Sequence, residues 1–134
     1  MINAKDSGQQ FVDFDQARKF FIECVAVQPA PSQVYIPAVV AADLLHGVER
    51  ASAMHKVKSL HFVDSILLRI PVIDYTISTA RIHAILCAEL ERKGKMIGYY
   101  GLMIAATAIE HSATVVTINK KHFSAIPGLK FLVP

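Results

Sequence analysis

His83 and Cys87 stand four residues apart, a spacing that sets an imidazole and a thiol on one face of a helix, as two zinc ligands would be. A closed zinc site needs three or four ligands, and no second pair stands beside them; packing into a core accounts better for both. The six histidines lie in no recognisable motif with a serine, cysteine or aspartate, so a nucleophilic triad has no support. Gly94, Gly98 and Gly101 are followed by no Gly-Lys-Ser, and there is no Gly-x-Gly-x-x-Gly, which removes the usual phosphate cradles. Cys24 and Cys87 are far apart and have no companions, which argues against a disulfide or a four-cysteine metal site; both read as buried thiols. Charge is the remaining signal. From Arg92 onward there are six Lys or Arg and a single acid, Glu110, a balance that can draw in phosphates. A solvated rim with a few surplus lysines accounts for the same charges, so charge alone does not decide function.

These groups sit on a chain of 134 residues, 53% hydrophobic and 19% charged, with a net charge of +3. The mean hydropathy of +0.38 and the pI near 9.0 belong to a chain able to bury a core, and disorder is excluded. The length fits one domain, 1–134, without a linker or internal repeat. The longest apolar runs, Ile36 to Ala42 and Leu102 to Ala106, fall far short of the roughly 18–20 residues needed to cross a bilayer. Met1 to Gln10 lacks the layout of a secretory signal, so a soluble, cytoplasmic protein is expected.

The elements follow from periodicity. Asp13 or Asp15 can cap a helix through Val25, with Ala17, Phe20, Phe21 and Cys24 on one stripe, and Pro29-Ala30-Pro31 then forms a loop. Val34 to Ile36 reads as a strand ending at Pro37, and Val39 to Val48 as a helix with Gly47 near its end. Val57, Leu60, Val63, Ile66, Leu67 and Ile70 make the apolar face of a long helix stopped by Pro71. Val72-Ile73 is a buried strand. Thr76 caps a helix running to Lys93, with Gly94 as its stop. Leu102 to Glu110 is another helix, Thr114 to Thr117 a strand, and Phe131 to Val133 a last edge strand. Short apolar strands alternating with helices predict an α/β class: three layers, α/β/α, around a central parallel sheet of four or five short strands. Ligands of such sheets gather beyond the carboxyl ends of the strands.

Three ordered segments carry a family likeness. The first is Ala42-Asp43-Leu44-Leu45-His46-Gly47, the second Ile97-Gly98-Tyr99-Tyr100-Gly101-Leu102-Met103-Ile104-Ala105-Ala106. The third is Val115-Val116-Thr117-Ile118-Asn119-Lys120-Lys121-His122-Phe123, with Ile126-Pro127-Gly128-Leu129 close behind. In order and spacing they resemble the PIN-domain ribonucleases, especially the VapC-like toxins of prokaryotic toxin–antitoxin pairs, over most of the chain from Val34 on.

The resemblance implies a PIN-like fold and a carboxylate site holding Mg or Mn, which lowers the pKa of a bound water and stabilises charge on the phosphate being cleaved. Asp43 fills the place of the family's glutamate. Gly101 stands where the family has its central aspartate, so that ligand is missing. Asn119 occupies a position held by Asp or Asn in the family; it can bind metal through its amide oxygen, or serve as the turn residue that caps Lys120 to Phe123. The family's opening strand ends in an acid, and Asp6 in Asp6-Ser7-Gly8 is the nearest match. Either Asp6 is that ligand, or most of the first strand is lost and Asp6 lies in a loop.

By resemblance, then, the catalytic and metal residues are Asp43, Asn119 and Asp6, with Mg or Mn weakly bound or absent. The implied partners are RNA, a small antitoxin protein and a second copy of the chain, with no membrane. The leading expectation is an endoribonuclease whose activity is impaired by Gly101. Its alternative is a catalytically inactive PIN domain that binds RNA or a protein, and a general dimerisation or scaffold module is a distant third.

Overall fold

The computed structural model describes residues 10–12, 34–117 and 119–133. Its sheet has five strands: β1 (Gln10–Val12), β2 (Val34–Pro37), β3 (Val72–Ile73), β4 (Thr114–Val116) and β5 (Lys130–Leu132), in the order β3-β2-β1-β4-β5. Every neighbouring pair is parallel, with Gln10 opposite Val34 and Thr114, Ile36 opposite Val72, and Val115 opposite Phe131. All carboxyl ends therefore lie along one edge. Parallel strands need crossovers, and the connections carry helices α1 (Ala38–Arg50), α2 (Ala53–Arg69), α3 (Ile77–Arg92), α4 (Tyr99–Glu110) and the single turn α5 (Lys120–Phe123). This is the α/β/α arrangement around a short parallel sheet that the sequence predicts.

Strand β1 corrects one expectation. The sequence leaves open that most of the first strand is lost; the strand is present as Gln10–Val12, central in the sheet and paired on both sides. Two apolar residues, Phe11 and Val12, after Gln9 and Gln10 give no alternation to read, and only pairing with β2 and β4 makes them a strand. The helix expected through Val25, the Pro29 to Pro31 loop and Cys24 lie outside the described residues.

Helix α3 begins in a capping box. The Thr76 backbone N–H donates to Thr79 Oγ1 at 3.0 Å, and the Thr79 N–H donates to Thr76 Oγ1. It ends as the sequence predicts, at Gly94 with φ 63°, where Lys95 N–H reaches Leu90 O at 2.9 Å and Gly94 N–H reaches Glu91 O at 3.1 Å. These two bonds satisfy carbonyls that the helix end would leave orphaned.

Helix α4 is the centre of the packing: Leu102, Ile104, Ala105, Ala106 and Ala108 are fully buried, together with Ile36, Val40, Ile66, Leu90 and Val115 from the surrounding elements. Small alanines let α4 approach its neighbours α3, α1 and β4 closely. At its far end Glu110 accepts hydrogen bonds from the Thr79 and Thr76 hydroxyls, fixing α4 to the first turn of α3. Thr79 is fully buried. Glu110→Ala is expected to take the carboxylate acceptor from the Thr79 O–H, whose oxygen keeps the Thr76 N–H, and to cost about 1–3 kcal/mol, read as a lower urea midpoint with an unchanged slope.

Helix α2 departs from its expected face. Val63, Ile66 and Ile70 are buried as the periodicity predicts, but Val57 is 66% and Leu60 42% exposed, beside Met54 at 84%. Among the described residues, the first turns of α2 are tied to the end of α1 by the ion pair of Lys56 with Glu49 at 2.9 Å. The periodicity of an apolar face does not reveal where its cover stops.

Candidate functional site

Strand β2 ends at Pro37, which is also the N-cap position of α1, so the chain turns from the carboxyl edge straight into a helix. Asp43 lies on the second turn of α1, half-buried, between buried Ala41 and Leu44. Strand β4 delivers Thr117 and Asn119 to the same edge. The Asn119 backbone N–H donates to Thr117 Oγ1 at 3.0 Å, and its carbonyl accepts from the His122 N–H at 3.1 Å. Asn119 sits at the N-cap position of α5, yet its side chain makes no capping hydrogen bond. Asn119 is exposed, and of the two roles open to it in sequence that of a side-chain cap is not taken.

Helix α4 feeds β4 through a tight reversal. Ser112 takes φ 54°, and Ala113 N–H donates to Ala108 O at 2.8 Å, so the carboxyl end of α4 lies at the amino end of β4. A helix that precedes a strand in an α/β unit runs back against it, which directs the first turn of α4 toward the carboxyl edge. Contacts of α4 with α1 and with α5 agree with that direction. Gly101 is the third residue of α4 and is buried. The topology thus gathers the elements bearing Asp43, Gly101 and Asn119 toward one edge.

Among the described residues, a Cβ at 101 would meet the tip of Ile97, Cδ1, at 3.2 Å, a tight contact with the end of a flexible side chain. No acid stands in the first turn of α4, where the helix dipole favours one.

Asp6 lies outside the described residues; in the chain it precedes β1, whereas the first residue after Val12 is Asp13. In the sequence Asp13 is a candidate helix cap. Asp13 is likewise outside the described residues.

Among the described residues, no three His, Cys, Asp or Glu are gathered as a metal site. Asp43 offers one carboxylate, Asn119 one neutral amide oxygen and Gly101 nothing; this set does not by itself fit a tightly held hard dication. The His83–Cys87 pair is not a metal site either. His83 Nδ1 is hydrogen-bonded to the Tyr75 hydroxyl at 2.8 Å, and Cys87 Sγ donates to Glu91 Oε1 at 3.5 Å. Desolvation, with the Glu91 carboxylate beside it, raises the Cys87 thiol above its ordinary value, so it stays protonated at neutral pH. Neither residue is fully buried as core packing would have it; both are half-buried at its margin. No helix among the described residues is long and apolar enough to cross a membrane.

The sequence matches the PIN domain over residues 11–129. The chain belongs to the PIN-domain family. Within that family it is VapC-like: it is 33% identical to Ribonuclease VapC1 of Rickettsia felis over 101 residues, 75% of each chain. It is also 33% identical to the tRNA(fMet)-specific endonuclease VapC of Salmonella typhimurium over 99 residues, 74% of each. The crystal structure of DNA-bound VapBC from Salmonella typhimurium superposes with a TM-score of 0.80 at 26% identity, covering 93% of this chain and 97% of that one. VapBC2 of Rickettsia felis, bound to a DNA fragment from its promoter, gives 0.75 at 27% identity, with 92% and 96% covered. This is a VapC-like protein of the toxin–antitoxin type whose relatives are ribonucleases.

Proposed function

We propose that this chain is a toxin-type PIN domain that binds RNA and whose Mg- or Mn-dependent cleavage of phosphodiester bonds is strongly weakened. The observation that carries the reading is Gly101: a buried glycine in the first turn of α4, at the place of the family's central aspartate. The ribonuclease relatives support RNA as the substrate class. A bound cation would activate water and offset charge on the scissile phosphate. Asp43 and Asn119 are this chain's described candidates to hold it, and Asp13, the first residue after β1, is a stronger third than Asp6. Where one carboxylate is absent, the site loses a unit of negative charge and an oxygen ligand.

The same glycine favours the second reading, a PIN domain that binds RNA or protein without cutting. The neighbouring VapBC complexes support a small antitoxin as partner. The exposed apolar row Met54, Val57 and Leu60 on α2 supports contact with a protein surface, either an antitoxin or a second copy. A cytoplasmic location fits these partners.

The test is a cleavage assay on single-stranded RNA with Mn. The unmodified chain is expected to cut slowly or not at all, and Gly101→Asp to cut faster. Fast cutting by the unmodified chain, unaffected by the aspartate, would refute the weakened-site reading.

A further inference from the structure

Tyr99 opens α4 two residues before Gly101 and is 68% exposed. Its ring is nevertheless not loose. It meets His83 at a centroid distance of 5.7 Å and an interplanar angle of 61°, and His83 is in turn fixed by its hydrogen bond to Tyr75 and by an edge contact with that ring at 6.1 Å. The chain leading to it carries Arg92, Lys93 and Lys95, all exposed, and no acid separates them from Tyr99. Beyond β4, the exposed Lys120, Lys121 and His122 follow Asn119 on α5, which packs against α4. A positioned, exposed aromatic flanked by cations is the arrangement by which proteins hold single-stranded nucleic acid: cations track the phosphates and the ring stacks on a base.

We propose that Tyr99 is a stacking platform for a base of single-stranded RNA, with Arg92, Lys93 and Lys95 binding the adjoining phosphates. The proposal rests on RNA being the ligand of this domain, and it adds a contact that needs no metal. Stacking is independent of the carboxylate set, so binding survives the loss represented by Gly101 while cleavage does not. The platform also biases which strand segment reaches the edge that carries Asn119, because a stacked base fixes the backbone on either side of it.

The experiment measures binding of a short fluorescein-labelled single-stranded RNA by anisotropy, in EDTA so that no cutting intervenes. Tyr99→Ala is expected to weaken binding by about fivefold or more, and Tyr99→Phe to leave it unchanged. Lys93→Glu with Lys95→Glu should weaken binding and flatten its salt dependence. The chain has no tryptophan, so Tyr99→Trp supplies a single reporter whose emission should be quenched as RNA is added. Because Tyr99 is exposed, these variants are expected to melt as the unmodified chain does. If Tyr99→Ala binds as tightly as the unmodified protein, or the tryptophan emission stays constant at saturating RNA, the platform is refuted while the RNA reading stands. If the unmodified chain binds no RNA, both fall together.

Discussion

Gly101→Asp is expected to create a cation site where the unmodified chain has at most a weak one. The new side chain would enter the first turn of α4, where its Cβ presses on the tip of Ile97 and the helix end has no acid of its own. In EDTA two effects oppose each other. The helix dipole favours the carboxylate by about 0.3–1 kcal/mol. Burial and any neighbouring carboxylate on this edge disfavour its charge, so the net change in stability without metal should be small. With Mn the balance shifts, because the dication removes the repulsion and gains a ligand. Outer-shell partners of bound metals alone are worth about 10–100-fold in affinity, so a direct ligand should contribute at least about tenfold. At a hundred times the dissociation constant, Mn would stabilise the variant by about 2.7 kcal/mol, a shift of several degrees in Tm, and leave the unmodified chain nearly unmoved. Adding Asp43→Asn to the variant should abolish most of that shift if the two residues share the site.

The largest loss of stability is expected from Leu102→Ala, immediately beside that position. Leu102 is fully buried in the helix that lies at the centre of the core, among Ile104, Ala105 and Ala106, which are equally inaccessible. Removing its isobutyl group forfeits transfer free energy and leaves a cavity that close-packed neighbours fill only in part, together about 2–5 kcal/mol. Against the usual 5–15 kcal/mol of a domain, that is a large fraction. Leu68→Ala is the matched control: the same chemical change at a residue 87% exposed should move the unfolding midpoint by less than about 0.5 kcal/mol. Equal effects at the two positions, measured by urea denaturation, would contradict the placement of α4 in the core.

Most elements were legible because their signals are local. The cap at Thr76, the stop at Gly94 and the break at Pro71 are decided by backbone conformation and hydrogen bonds within a few residues, and the sequence states them directly. Strand β1 was not legible, since Gln10–Val12 becomes a strand only through partners far along the chain. The exposure of Val57 and Leu60 was hidden for a related reason: periodicity marks an apolar face, while its cover depends on where the neighbouring helix ends. At the site, Asp43, Gly101 and Asn119 were found through spacing that matches a family. That the Asn119 side chain makes no cap bond and that Gly101 is buried against Ile97 required the structure. Tyr99 carried no signal in sequence, because exposure and the support of His83 emerge only when α3 and α4 pack.

The most direct test of the central claim is calorimetric titration of Mn into the unmodified chain and into Gly101→Asp, in the same buffer. The account predicts little or no heat from the unmodified protein and a saturable site in the variant, at least about tenfold tighter. Tight binding by the unmodified chain, with no gain from the aspartate, would show that a complete site exists without position 101 and would contradict the account.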